Sequence, residues 1–476
     1  MSFVQLKDNN YNGVSFKNAV RDKPDYARIY NDLSQIANTP LGEIIQNNKN
    51  LLIFPFDLES SKDKIGESPI IQIKKNDSNI VESKIYTNNL MGFIGTGETQ
   101  ISISSRFCKN SCGKDFFLQY MLSKVFNLNI FDLNFSIGKE GYFDLLYLMF
   151  PVLLKNAGKK GIYREYKSFN RNDSKVKGSI DIKRFINHNM PFDGNISYNV
   201  REYTYDNNVT QLIRHTIEFI KSKAFGLKVL SLDYEVSKIV NQICLYTPSY
   251  SKNERQKIIN KNLKLITHPY YKEYLPLQKL CLQILRNDKI CYQEDENNIY
   301  GILFDGAWLW EEYLDTVLST YNKRIIHPRN RIGTDGIHLF SNSGTNYYPD
   351  FRLPKKDNKN ESDIILDAKY KDLLKDAYDE DFSDVRISFQ REDKFQMISY
   401  IHVQNAKHGI FLYPYKYRKE SDTEKPHLIY SKKMYLNGFG GDIYSIGFPI
   451  IQSAKTLYEY SKKMDEVVNT FSFYKK

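Results

Sequence analysis

Two short stretches decide how this chain is read: YYPDFRL at residues 347–353 and SDIILDAKYK at residues 362–371. Each is a run of aromatic and β-branched residues of strand length, and the polar segment 355–362 between them, with Asp357 and Asn358, carries turn chemistry. Together they predict a hairpin bearing two acids, Asp350 and Asp367. Asp367 follows the apolar run Ile364-Ile365-Leu366, which has the character of a buried central strand. A carboxylate at the end of such a strand is costly without a partner. With a second carboxylate at the same edge, a hard divalent cation is the simplest one. Lys369 stands two residues after Asp367. Side chains alternate along a strand, so both point to one face, where the ammonium can orient water or steady developing negative charge.

The triplet alone is common in this chain. Asp-x-Lys recurs at residues 173–175, 181–183 and 357–359, and Glu-x-Lys at 82–84, 165–167 and 392–394. Any single copy reads as a solvated strand edge. Only Asp367 follows an apolar run and has a Pro-Asp in the preceding strand, and that combination is the PD-(D/E)xK nuclease signature. It implies metal-dependent phosphodiester cleavage with Mg²⁺ or Mn²⁺.

Two flanking segments fit the same reading. Residues 304–318 (FDGAWLWEEYLDTVL) have helical spacing, with Trp310, Leu314, Val317 and Leu318 on one face and Glu311 or Glu312 near the start. In this nuclease fold the first helix often contributes an acid, and Glu311 is the candidate to join Asp350 and Asp367 as a metal ligand. Residues 391–405 (REDKFQMISYIHVQN) are again helix-like, and Gln396 and Tyr400 lie four apart on one face. That QxxxY spacing follows the catalytic lysine in many PD-(D/E)xK enzymes. Taken singly, each of these residues is an ordinary helix position; their order around Asp367 and Lys369 gives them weight. Strand-like runs at 408–414 and 427–430 complete a helix, hairpin, helix, strand core.

The whole-chain numbers frame this. At 476 residues, 41% hydrophobic and 26% charged, the chain is long enough for two or three globular domains. A net charge of +11 favours an anionic partner, and nucleic acid fits best. Five cysteines, an odd and scattered set, argue for a reducing compartment, with cytoplasm as the default. Cys108 and Cys112 are the only close pair, and no second pair completes a zinc site. No apolar run reaches the length of a bilayer span, so no membrane role is expected.

Along the chain, residues 1–115 look β-rich, with strand candidates at 51–56, 69–74 and 100–104. From Asp115 the pattern turns helical, up to Leu154. A basic stretch from Lys155 to Arg184 follows, interleaved with Tyr163, Tyr166 and Phe169; it reads equally as a phosphate or acidic-surface contact and as a solvated face. Helical signals return at 208–223 and 276–286, and the polar run 294–298 (EDENN) reads as a linker.

Residues 176–219 carry a more specific resemblance. Gly178-Ser179-Ile180-Asp181-Ile182, the turn from Asn189 to Pro191, Arg201-Glu202-Tyr203, Asp206 and Leu212-Ile213-Arg214 stand in order ahead of Asp350, Asp367 and Lys369. In this the chain resembles the McrC family, the nuclease subunits of McrBC-type restriction systems, and particularly the LlaJI-like branch. The resemblance covers roughly residues 85–420. Thr210 stands four residues after Asp206, where the family usually has Asn.

The resemblance implies an endonuclease acting on double-stranded DNA within a hetero-oligomer, together with a separate McrB-like AAA+ GTPase that the amino-terminal half stimulates. The sequence agrees that nucleotide hydrolysis comes from elsewhere. GFIGTGET at 92–99 has Glu98 where a phosphate loop needs lysine and reads as a turn between strands, so no nucleotide is expected on this chain alone. Arg164 and Arg171 are candidates to reach the partner or its nucleotide, as arginine fingers do.

The fold expected is α+β and multidomain: a β-rich amino-terminal region over 1–115, a helical and mixed assembly region over 116–295, and a carboxy-terminal α/β PD-(D/E)xK restriction-endonuclease-like core over 296–476. The alternatives are a stand-alone repair or junction nuclease of the same fold, and a non-catalytic DNA-binding adaptor.

Overall fold

The structure is a computed structural model that describes residues 2–21, 25–48, 51–56, 65–76, 79–108, 115–128, 141–223, 225–231, 233–290, 299–329, 336–341, 346–358, 361–373, 389–417, 426–438 and 440–473. The run 294–298 and Cys112 lie outside them. The chain forms two compact units, Met1–Tyr142 with Asp295–Lys476, and Phe143–Glu294.

The first unit contains two large sheets. In the amino-terminal sheet the spatial order is Val20–Arg21, Ser2–Lys7, Thr99–Ser104, Leu90–Thr96, Tyr300–Asp305 and Leu51–Phe54. Thr99–Ser104 alternates buried and half-buried residues, as a strand with one covered face should, and Ile101 and Ile103 join Val4, Leu6, Ile29 and Leu33 in the core. Leu90–Thr96 is buried throughout because it has strands on both sides. Residues 300–305 fall within the carboxy-terminal region of the sequence reading. Here they pair with Leu90–Thr96 on one side and, in parallel, with Leu51–Phe54 on the other. The GFIGTGET segment divides: its first half is strand, and the turn is at Gly97 and Glu98 before Thr99–Ser104 begins.

The second large sheet runs Phe351–Pro354, Ser362–Ala368, His408–Tyr417, Asp442–Ile451 and Ile429–Tyr430, with Met434–Tyr435 also on Asp442–Ile451. Phe351–Pro354 and Ser362–Ala368 form the expected antiparallel hairpin. From Ser362–Ala368 onward the three long strands are parallel, and Asp442–Ile451 is buried throughout, consistent with a sheet covered on both faces. The helix Arg391–Val403 lies in the connection between the first two parallel strands, and its Met397, Tyr400 and Ile401 pack with Ile365, Phe411 and Ile443. Elsewhere Trp310 and Tyr313 of the helix Gly306–Tyr321 meet Phe117 and Tyr120 of Phe116–Val125, Tyr460 of Leu457–Val468 and Phe448 of the sheet in one aromatic cluster.

The second unit is a helical body with a small antiparallel sheet. The sheet runs Ser179–Ile180, Ile196–Thr204, Glu165–Asp173, and Glu165–Asp173 is mostly exposed. Asn208–Lys221 buries Leu212, Ile213, Ile217 and Ile220. Its start is fixed by a reciprocal cap: Asn207 accepts from the Thr210 backbone, and the Thr210 hydroxyl accepts from the Asn207 backbone. The threonine that departs from the family pattern therefore closes a helix cap. Asp206 accepts from Gln211 Nε2 at 2.6 Å and from the Ser249 backbone at 3.0 Å. Among the described residues no helix is long and apolar enough to cross a membrane.

Candidate active site

The hairpin register brings the two acids to one end of the sheet. Phe351 pairs with Leu366, so one step further Asp350 comes opposite Asp367. The Asp350 side chain, 4% exposed, accepts a hydrogen bond from the Ala368 backbone N–H at 2.6 Å, which ties it to the residue after Asp367. Asp367 is equally buried, and its Oδ2 lies 2.8 Å from Lys369 Nζ. Lys369 also donates its backbone N–H to the Leu412 carbonyl at 2.8 Å, and the Trp310 indole reaches the same carbonyl at 3.3 Å.

The sequence reading missed Asp393. It sits in the first turn of Arg391–Val403 and meets Lys369 Nζ at 3.0 Å and Lys371 Nζ at 3.2 Å. Its only signal was an acid three residues before Gln396, and an acid at a helix start is explained already by the helix dipole. Burial pulls the Lys369 ammonium down, but the charges of Asp367 and Asp393 outweigh it and hold it above the ordinary lysine value. Burial pushes Asp393 up, and Lys369 and Lys371 more than reverse that.

The other expected residues divide into three groups. Gln396 donates to the Tyr400 hydroxyl at 3.3 Å, so the QxxxY pair is a direct contact. Burial raises the Tyr400 phenol, whose ring packs in the core with Ile365 and Phe411 of the two neighbouring strands. Glu311 meets His327 Nε2 at 2.8 Å, and the His327 ring packs 4.5 Å from that of Phe351, next to Asp350. Arg164 and Arg171 belong to the second unit. Arg164 stacks 4.0 Å from the Tyr205 ring centroid, and Arg171 pairs with Glu202 at 3.1 Å.

Two groups of residues bear on metal binding. Asp350 and Asp367 offer only carboxylate oxygens, the donor type a hard divalent cation prefers, while Asp393 is met by the ammoniums of Lys369 and Lys371. Glu312, Asp315 and His327 also bring ligand atoms within 4.8 Å of one another. There, however, Arg329 already forks onto Glu312 at 2.8 and 2.9 Å and reaches Asp315 at 2.6 Å, so the acids are met by a guanidinium.

Comparisons with known proteins bear on the whole chain. The family described as "McrBC 5-methylcytosine restriction system component" matches residues 85–414. No match was found among curated proteins. Among solved structures, the chain is similar to one from Thermococcus gammatolerans described as a half-complex of McrB AAA+ hexamers with bound McrC. The TM-score is 0.51 at 14% identity, covering 98% of this chain and 100% of the other. A second, the Thermococcus gammatolerans McrBC complex, aligns at a TM-score of 0.34 and 15% identity, covering 66% and 87%.

Proposed function

Because the chain belongs to the McrBC 5-methylcytosine restriction system component family, we propose that it is the DNA endonuclease subunit of a GTP-dependent restriction complex, cutting phosphodiester bonds with Mg²⁺ beside a separate AAA+ GTPase. The observation that carries this reading is the meeting of Asp350, Asp367 and Lys369 at one end of a hairpin, inside the segment matched by the family. The order of helix, hairpin, helix and parallel strand supports reading the carboxy-terminal sheet as a PD-(D/E)xK core. The partner follows from the archaeal structure of similar fold, in which McrC is bound to McrB AAA+ hexamers. A net charge of +11 suits attraction to DNA.

Asp350 and Asp367 would hold the metal, with Glu311 as the third candidate. When bound it lowers the pKa of a coordinated water and neutralises charge on the scissile phosphate. The Ala368 N–H keeps the Asp350 carboxylate in place at the sheet end, where it would help hold the metal. Lys369 stays protonated between Asp367 and Asp393 and is suited to orient the attacking water and meet charge on phosphorus. Asp393 shares that ammonium with Asp367. Gln396 and Tyr400 steady the neighbouring helix face and its water shell. Arg164 and Arg171, in the second unit, are the candidates for contact with the GTPase or its nucleotide.

The test is a plasmid cleavage assay with and without the GTPase, on methylated and unmethylated DNA. Mg²⁺ or Mn²⁺ with GTP should support cutting, and Ca²⁺ should not, because the smaller ions impose the stricter octahedral geometry. Undiminished cutting in EDTA would remove the metal mechanism.

A further inference from the structure

The residue after Lys369 is gripped from outside its own sheet. Tyr370 is 5% exposed, and its backbone carbonyl accepts from Arg106 Nη1 at 3.3 Å while the guanidinium lies 4.6 Å from its ring centroid. Its hydroxyl lies 3.0 Å from Ser105 Oγ and 3.3 Å from Met91 Sδ, and the Phe107 ring meets it edge-on at 5.4 Å. Ser105, Arg106 and Phe107 come directly after the strand Thr99–Ser104 of the amino-terminal sheet.

Arg106 is itself fixed on every side. Its Nη2 and Nε bind Asp8 Oδ2 at 2.7 and 3.1 Å, its backbone N–H donates to Asp8 Oδ1, and Nη2 reaches Asn89 Oδ1 at 2.6 Å. The Asn89 carbonyl in turn takes the Gly306 N–H at 2.7 Å, and a Cβ at Gly306 would come within 2.7 Å of the Tyr370 ring. Asp8 is 1% exposed, so this is a desolvated ion pair. Such pairs add little net stability over an apolar pair of the same shape, and stability alone does not account for it. What it supplies is a rigid forked contact, which lysine cannot reproduce.

We propose that Asp8 and Arg106 are positioning residues for Lys369, holding the Lys369–Tyr370 backbone so that the ammonium stays on the face shared by Asp367 and Asp393. On one side the Lys369 N–H is anchored to Leu412 of the sheet, and on the other Tyr370 is anchored by carbonyl, ring and hydroxyl to the amino-terminal sheet. The amino-terminal strands thus complete the candidate site without touching the substrate. This rests on the role of Lys369 proposed above.

The experiment is competitive amine labelling of the full chain, free of DNA and metal, at one fixed pH. Modification of the Lys369 peptide is read by mass spectrometry against exposed Lys257. In Arg106→Lys and in Asp8→Asn, both checked for folding by thermal melting, Lys369 should label several-fold faster, because its amine slips from the buried place between Asp367 and Asp393 and becomes accessible. The rate of bound-DNA cleavage should fall on the order of 10- to 100-fold, with DNA affinity unchanged. Wild-type labelling of Lys369 in either folded variant overturns the proposal. Altered labelling in a protein whose wild type never cuts DNA leaves the clamp standing and sinks the nuclease reading instead.

Discussion

At the scale of single residues, the chemistry reduces to a few groups whose surroundings decide their behaviour. Asp350→Asn, Asp367→Asn and Lys369→Met should each lower cleavage by on the order of 10²- to 10⁴-fold, with thermal melting close to wild type, because each removes a charge at the sheet end and leaves the strands intact. Near-normal cutting by any of the three contradicts the site. A separate prediction concerns Asp115, which caps Phe116–Val125 through the Leu118 N–H at 3.0 Å and also accepts from the Ser105 N–H. Burial pushes its carboxyl up to about 6, with Asp8 and Lys7 as the charged neighbours. A folded pKa above the unfolded one means a contribution fully present below the unfolded pKa and lost as pH rises through the folded value. The wild type should therefore lose up to about 3 kcal/mol between pH about 4 and pH about 7. Asp115→Asn keeps an acceptor and does not titrate, so its stability relative to wild type should improve over that range in urea unfolding; a gap independent of pH contradicts this. The places of Asp350, Asp367, Lys369, Gln396 and Tyr400 in a hairpin and a helix were legible in the sequence, because spacing and order carry over to geometry within such local elements. Asp393 and the Asp8–Arg106 pair were not, since an acid in a first helix turn has an ordinary explanation and Arg106 meets Tyr370 across 264 positions.

At the scale of elements, the hairpin, the helices Gly306–Tyr321 and Arg391–Val403 and the strands after them are local patterns, and the structure has them where periodicity predicts. The helix Tyr26–Ser34 escaped the reading: only Ile29 and Leu33 of its nine residues are buried, too short an apolar stripe to stand out, although Asp25 caps it through the Arg28 N–H. The strand Tyr300–Asp305 also escaped, because its partners lie some 200 positions upstream and nothing local announces them. That strand's approach to Leu90–Thr96 depends on Gly92, whose φ is +130° and whose added Cβ would stand 2.3 Å from the Ile302 carbonyl oxygen. Gly92→Ala should destabilise the first unit by about 2 kcal/mol or more, through backbone strain and a backbone clash together. A melting temperature equal to wild type would show that the two strands are not so closely paired. The basic stretch, read evenly as phosphate grip or solvated face, forms in part the exposed strand Glu165–Asp173, with Lys155 held by Asp233 and Glu235 and Arg171 by Glu202.

At the scale of the whole molecule, family membership and the archaeal McrC-like fold join the candidate site to a proposed assembly with a GTPase, while the chain's second unit supplies a surface of stacked arginine and tyrosine, Arg164 on Tyr205 and Arg201 5.6 Å from the Tyr166 ring centroid. If that surface meets the partner, Arg164→Ala with Arg171→Ala should lower stimulated GTP turnover by at least about tenfold, a small share of what an arginine finger contributes. Turnover equal to wild type would remove both residues from the interface. The amino-terminal sheet and the carboxy-terminal sheet share one unit and meet at Tyr370, so a piece beginning at residue 300 would carry Tyr300–Asp305 without the strands that flank it and Lys369 without its clamp. This interdependence was hidden from the sequence, which marks local elements and leaves long-range pairing unstated. The most direct measurement uses the reconstituted complex with wild-type chain and with Asp367→Asn, following GTP turnover and plasmid cleavage in the same Mg²⁺ reaction. The account predicts that Asp367→Asn binds the GTPase and stimulates GTP hydrolysis as the wild type does while cleavage is lost; cleavage at the wild-type rate by that variant would contradict it.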